Sequence, residues 1–168
     1  MKKQVGIVVL YLGAIVAANL ITARYGPGAS IFNAFVLIGL DLTTRDRLHD
    51  AWHGKHLAAK MCALIAAGSL LSYGLNRNAG QIAVASFVAF ALASAADALA
   101  YHGLRSRPWF QRANGSNIVG AAVDSIAFPT IAFGGLMPWV TLGQFAAKVG
   151  GGFVWSLVLR RRVAVASY

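Results

Sequence analysis

Three ionisable side chains lie inside long apolar stretches of the sequence. Asp97 follows the run FALASAA, Asp124 lies within VGAAVDSI, and Lys148 lies within FAAKVG. A charged side chain in a lipid-embedded helix costs about 2.5–3.5 kcal/mol even on the lower scales, so it usually faces a partner or a wet cavity. Two interpretations follow: a polar binding site, or an ion pair of Lys148 with one of the aspartates that holds helices in register.

Helical spacing places these charges beside amides and aromatic rings. Asn117 and Asp124 are seven residues apart and share a helix face that Phe128 extends, whereas Gln144 and Lys148 are four apart. Carboxylates and amides bind the polar edge of a planar ligand, and aromatic rings stack on its face. The pattern therefore favours a planar, hydrogen-bonding solute, although a phenylalanine on such a face is often only core.

The composition excludes several classes of protein. The 168 residues are 58% hydrophobic and 12% charged, all five acids are aspartates, and Cys62 is the only cysteine. Soluble domains carry about twice that charge, disordered chains are less apolar, and disulfide scaffolds need many cysteines. The net charge of +10 would suggest nucleic acid, but this apolar content predicts a lipid bilayer as the partner and no nucleic acid.

Six apolar segments predict an all-α, integral membrane bundle of six transmembrane helices. A span needs about 20 apolar residues, and six spans leave room for short loops only, so residues 1–168 form a single transmembrane domain. The segment at 29–43 is short, which predicts a buried or locally broken helix. The predicted segments are 4–23, 29–43, 57–75, 82–104, 117–135 and 138–159.

Basic residues fall mainly on one side of this arrangement. Most of the fifteen lysines and arginines lie at the two chain ends, between the second and third segments, and between the fourth and fifth. Cytoplasmic loops carry an excess of Lys and Arg, so both termini are predicted to be cytoplasmic.

Other polar residues have a structural and a functional interpretation. Asn19 would form an interhelical hydrogen bond or contact a ligand, and Asp41 would pair with Arg45 at the interface or line the site. His49 and His53 have the spacing of a metal pair, but no Cys or Glu accompanies them. The sequence contains no phosphate-binding GxxxxGK[ST], GxSxG or HExxH motif, so we expect no enzyme, no cofactor and no metal.

Three stretches of the sequence resemble the queuosine-precursor transporters of the vitamin uptake transporter family. Leu40–Arg45 is similar to the family pattern (T)DL(T)xR, and Ala85–Leu92 followed by Asp97 is similar to ASFxAyxxxxxxD. Ser116–Phe128 with Ile131–Phe133 resembles (S)xxxxxxxDTxxFxxIAF, which is the most specific of the three. The chain departs from the family in lacking an arginine shortly before the second stretch.

The resemblance implies a multi-pass protein with six spanning helices in a bacterial cytoplasmic (inner) membrane. It also implies that the protein takes up 7-cyano- or 7-aminomethyl-7-deazaguanine. The guanine edge offers two adjacent N–H donors, and one carboxylate can accept both of them. Asp97 or Asp124 would supply this carboxylate. We predict a central pocket among the first, fourth, fifth and sixth helices, opened alternately to each side. Its predicted substrate-binding residues are Asn19, Asp41, Asp97, Asn117, Asp124, Phe128, Phe133, Gln144 and Lys148.

Other functions agree with the same residues. The solute could be another small planar molecule, such as a vitamin or nucleobase, and the chain could be a substrate-binding subunit that needs an energising partner. Several copies could associate into a homo-oligomer. A structural or pore-forming membrane protein would use the charges for folding or assembly alone, and mutations at Asp97, Asp124 and Lys148 would then act through stability.

Overall fold

The computed structural model describes residues 2–38, 40 and 56–165 and folds them into six helices. A π-helical turn at Ala34–Ile38 continues the second helix, and a 3₁₀ turn at Arg77–Ala79 precedes the fourth. Asp41, His49 and His53 lie outside the described residues. The helices are α1 (Lys2–Tyr25), α2 (Pro27–Asn33), α3 (Leu57–Leu75), α4 (Gly80–Gly103), α5 (Trp109–Phe133) and α6 (Pro138–Val165).

Proline and glycine set the ends of several helices. Pro27 and Pro138 stand at the first positions of α2 and α6, where the missing N–H of proline costs no hydrogen bond. Gly134 follows α5 with φ 75°, a left-handed conformation that glycine adopts without a steric penalty. These residues make the α1–α2 and α5–α6 connections short, so that consecutive helices pack against one another.

The six helices occupy the six predicted segments. Three of them are long and apolar enough to cross a membrane, over Val5–Tyr25, Arg77–Gly103 and Asn114–Phe133, and shorter apolar helices run over Pro27–Ile38 and Ala59–Leu75. In the described part of the second segment, the α-helical turns pass directly into the π turn, so the helix changes its hydrogen-bond pattern there without ending. The exact number of spans and the side of the termini stay predictions.

The described helices bury polar side chains and expose large apolar ones. Asn19, Asn33, Gln144 and Lys148 are buried, whereas the outer surface carries many exposed leucines, valines and phenylalanines. Two apolar clusters connect the helices: one joins α1 to α3 and the other joins α4 to α5, which form the most extensive helix pair. This distribution suits a lipid environment, where exposed backbone must be satisfied within helices and polar groups turn inward.

Glycine allows α2 and its π turn to lie directly on α6. A Cβ atom placed on Gly151 would overlap the backbone carbonyl oxygen of Phe35, and one on Gly143 would lie 2.7 Å from Cδ1 of Ile31. Small residues at helix contacts in membranes permit this close approach of backbones. The π turn is therefore held against α6 by main-chain contact.

We expect a Gly151→Ala variant to lose about 1–3 kcal/mol of stability, the usual cost of overpacking a tight contact. The added methyl group meets backbone, which cannot rotate away as a side chain could. Thermal unfolding of the purified protein measures the loss. Gly150→Ala is the matched control, because its Cβ would meet a Phe35 ring carbon at 3.7 Å, an ordinary contact. Equal melting temperatures for the two variants would contradict the close approach.

Candidate functional site

A cavity of about 430 Å³ lies between the helices and receives side chains from all six of them. The predicted first, fourth, fifth and sixth helices all contribute. Two further helices also contribute: α3 supplies Ile65, and α2 with its π turn supplies Ser30, Asn33, Ala34 and Ile38. Seven predicted site residues line this cavity: Asn19, Asp97, Asn117, Asp124, Phe128, Gln144 and Lys148.

Lys148 forms an ion pair with Asp124 across the α5–α6 contact. Its Nζ atom lies 2.5 Å from Oδ2 of Asp124, 3.1 Å from Oγ of Ser125 and 3.2 Å from Oε1 of Gln144. An ammonium group has three N–H donors, so these three acceptors use all of them. The Lys148 side chain is 4% exposed and that of Asp124 is 24% exposed. Lys148 therefore balances charge and has no donor left for a ligand.

The same network extends to α2 through Gln144. The Gln144 amide donates to Oγ of Ser30 at 2.8 Å, and the Ser30 hydroxyl donates to the Pro27 carbonyl oxygen at 2.5 Å. With its oxygen accepting from Lys148, Gln144 uses both ends of its side chain within the protein. It connects the ion pair to the start of α2.

Asn19 connects three helices. Its amide nitrogen donates to Oγ of Ser72 on α3 at 3.1 Å, and its oxygen accepts from the Ser86 hydroxyl on α4 at 2.6 Å. Ser72 in turn donates to the Gly68 carbonyl oxygen. The geometry supports the interpretation of Asn19 as an interhelical hydrogen-bonding residue in the cavity wall.

Asp97 differs from Asp124 in its partners. Its Oδ1 atom is buried and has no hydrogen-bond partner among the described residues, and Asp97 forms no ion pair within that part of the chain. Gly120 faces it across the α4–α5 contact, where an added Cβ would lie 3.3 Å from Cβ of Asp97. Asp124 is one helical turn further along α5. The two carboxylates thus share one wall of the cavity, and only one of them is neutralised.

Asn33 is a cavity residue that sequence reasoning did not select. Its amide nitrogen donates to the Ala18 carbonyl oxygen at 3.1 Å and to Oγ1 of Thr22 at 2.9 Å. Its Oδ1 atom is buried and has no partner among the described residues. An asparagine near the start of the short segment at 29–43 was the only signal for it in the sequence.

The aromatic residues are arranged differently from the prediction in one respect. Phe128 lines the cavity together with Phe90 and Phe153, whereas Phe133 does not line it. The rings of Phe128 and Phe133 meet edge to face, with centroids 6.2 Å apart. Phe133 therefore packs against Phe128 from outside the cavity, because five residues of α-helix place it about 140° around the helix axis from Phe128.

Residues 6–160 match the protein-family model described as "Putative vitamin uptake transporter". The chain belongs to this family. The match covers nearly all of the sequence and confirms the family that the three motifs indicated. No curated protein and no solved structure matches the chain.

Membership of the vitamin uptake transporter family, together with the apolar helices, makes this a multi-pass membrane protein of a transporter family. It also agrees with the expectation that the protein is not an enzyme. The cavity lies between helices, which is where transporters generally bind their substrates.

Proposed function

We propose that the protein takes up 7-deazaguanine bases, the 7-cyano and 7-aminomethyl precursors of queuosine, through this cavity. It would do so in a bacterial cytoplasmic membrane, with both termini in the cytoplasm and the cavity opening alternately to the two sides. The family gives transport of a small solute. The choice of solute rests on the resemblance of three sequence stretches to queuosine-precursor transporters, and the polar groups of the cavity wall suit that solute.

The observation that carries the proposal is the free oxygen of Asp97. A buried acceptor without a protein partner costs free energy unless water or a ligand supplies a donor. The polar edge of a guanine-type base presents a ring N–H beside an exocyclic amino group, and a carboxylate accepts both in a charge-assisted pair. Asp124 is a weaker candidate for this role, because Lys148 already occupies its Oδ2 atom.

The size and lining of the cavity support a planar base. Small-molecule sites in proteins run from about 300 to 1,000 Å³, and this cavity of about 430 Å³ lies near the lower end. Phe90 on α4 and Phe128 on α5 line the same cavity as Asp97. A bicyclic base would place its polar edge at Asp97 and its apolar face on one of these rings.

Thermal unfolding of the purified protein in detergent tests the proposal. Both 7-deazaguanine precursors are expected to raise the melting temperature, because a ligand at 100 times its Kd stabilises the folded state by about 2.7 kcal/mol. 7-Deazaadenine is the matched control, since it has the same bicyclic shape but lacks the adjacent pair of donors. If neither precursor stabilises the protein at millimolar concentration, the proposal is wrong.

Uptake into cells separates a complete transporter from a subunit. A host unable to make the base, supplied with it externally and expressing this chain alone, is expected to recover queuosine in its tRNA. Recovery only after an energising ATPase is added would show that the chain is a substrate-binding subunit.

A vitamin is the second candidate solute, because the family description names vitamin uptake. The same unfolding assay with riboflavin, biotin and thiamine tests it. Stabilisation by one of these and not by the guanine-type bases would replace the first proposal with the second.

A further inference from the structure

We propose that Asn33 is a second substrate-binding residue, whose amide oxygen accepts an N–H donor of the solute. This inference rests on the proposed function for the choice of solute. Asn33 lies on α2, outside the motifs that suggested the site. It adds a second point of recognition from a different helix than Asp97, which lies on α4.

Two hydrogen bonds fix the orientation of the Asn33 amide. Its nitrogen donates both to the Ala18 carbonyl oxygen and to Oγ1 of Thr22 on α1. A flipped amide would set its oxygen against the Ala18 carbonyl oxygen, which can only accept. The nitrogen therefore faces α1, and the oxygen is left on the other side of the amide without a partner.

Burial makes that free oxygen informative. Asn33 is 2% exposed, yet it lines the cavity. Buried polar atoms in proteins almost always have a hydrogen-bond partner, so an exception needs an explanation. A donor on the solute satisfies the Asn33 oxygen in the same way that the guanine edge satisfies Asp97.

The surrounding structure holds Asn33 in place. It is the last residue of α2 before the π turn, and π turns occur frequently at functional sites. Gln144 binds Ser30 one turn earlier, and the π turn lies on the backbone of α6 at Gly151. An acceptor fixed on both sides in this way pays little ordering entropy when a ligand binds.

The chemistry of the base limits which donor reaches Asn33. With its guanine edge at Asp97, a 7-deazaguanine precursor retains three other kinds of N–H donor: the second N–H of the exocyclic amino group, the ring N–H at position 9 and, in one precursor, the ammonium of the aminomethyl group. Each of them can donate to an amide oxygen. A bond to position 9 would exclude nucleosides, in which that nitrogen carries the sugar.

Binding measurements on the full-length protein and an Asn33→Ala variant test this inference. The variant is expected to bind 7-aminomethyl-7-deazaguanine at least 10-fold more weakly than the unaltered protein. Three changes to the ligand identify the donor: methylation of the exocyclic amino group, methylation of position 9, and replacement of the aminomethyl by the cyano group. The change that removes the donor weakens binding to the unaltered protein but has less than a twofold effect on the variant.

Controls separate this inference from the proposed function. Asn78→Ala removes an exposed asparagine at the 3₁₀ turn, outside the cavity, and is expected to bind as the unaltered protein does. Absence of binding by the unaltered protein would defeat the proposed function itself. Normal binding by the unaltered protein with unchanged binding by Asn33→Ala, or ligand changes that cost both proteins equally, would overturn the role of Asn33.

A second variant covers the case in which Asn33→Ala does not fold. Thr22→Val keeps Asn33 but removes one of the two bonds that orient its amide. We expect the Thr22→Val variant to bind the base about threefold more weakly, because the Asn33 amide loses one of its two orienting bonds while the other cavity residues stay in place. Unchanged affinity in a folded Thr22→Val protein would then overturn the inference.

Discussion

An Asp97→Asn variant is expected to bind the guanine-type bases at least about 100-fold more weakly than the unaltered protein. Asparagine has nearly the same shape, but it replaces one acceptor by a donor that faces the donors of the base. A 100-fold loss corresponds to about 2.7 kcal/mol, within the range for hydrogen bonds to a charged group. Isothermal binding and cellular uptake both measure the loss.

The stability of the same variant distinguishes a ligand site from a structural charge. Asp97 Oδ1 has no partner in the described protein, so Asp97→Asn is expected to leave the ligand-free melting temperature nearly unchanged. Ser94→Ala, one turn earlier on α4 and outside the cavity lining, is the control for changes on this helix. Uptake that survives Asp97→Asn would remove Asp97 from the site, and a large loss of stability would favour the structural interpretation.

An Asp124→Asn variant is expected to lose about 3–5 kcal/mol of stability, the usual cost of leaving a buried charge without its partner. Lys148 would remain as that charge, since its side chain is only 4% exposed. Lys148→Met is expected to cost less, because the Asp124 carboxylate it leaves behind is 24% exposed in the cavity. Thermal and denaturant unfolding of both variants measure this asymmetry.

The double variant Asp124→Asn with Lys148→Met completes the comparison. Removing both charges leaves no uncompensated charge, so the double variant is expected to be more stable than Asp124→Asn alone. If the stability loss of the double variant equalled the sum of the two single losses, the coupling free energy of the ion pair would be zero. The 2.5 Å contact would then not stabilise the protein. Ligand binding measured on the stable double variant also shows whether the pair is needed for recognition.

The helices and seven of the twenty-five residues that line the cavity were predictable from the sequence. Apolar length set the six segments, and the three to four residue repeat of a helix placed Asn117, Asp124 and Phe128 on one face, and all three line the cavity. The same spacing joined Gln144 to Lys148, and the two side chains are hydrogen-bonded. The relative positions of residues within one helix follow from the regular geometry of the helix, so such predictions hold in the folded structure without knowledge of its packing.

Contacts between helices could not be obtained in this way. The sequence left open whether Lys148 pairs with Asp97 or with Asp124, and the choice depends on how α5 and α6 are rotated against each other. The role of Asn33 depends on Ala18 and Thr22, which lie on another helix. Each of these follows from packing, which periodicity in one segment does not specify.

The pairing of Lys148 with Asp124 also has an electrical consequence. A membrane potential acts on net charge, at about 2.3 kcal/mol per elementary charge for each 100 mV crossed. When both side chains are ionised, the pair is a short dipole without net charge. Voltage then acts on an ionised Asp97 and on the solute. A bound base with an ammonium group would cancel the charge of that carboxylate, whereas a cyano-substituted base would leave the charge in place. The membrane potential would therefore change the free energy of transport by different amounts for the two precursors, although their guanine edges are identical.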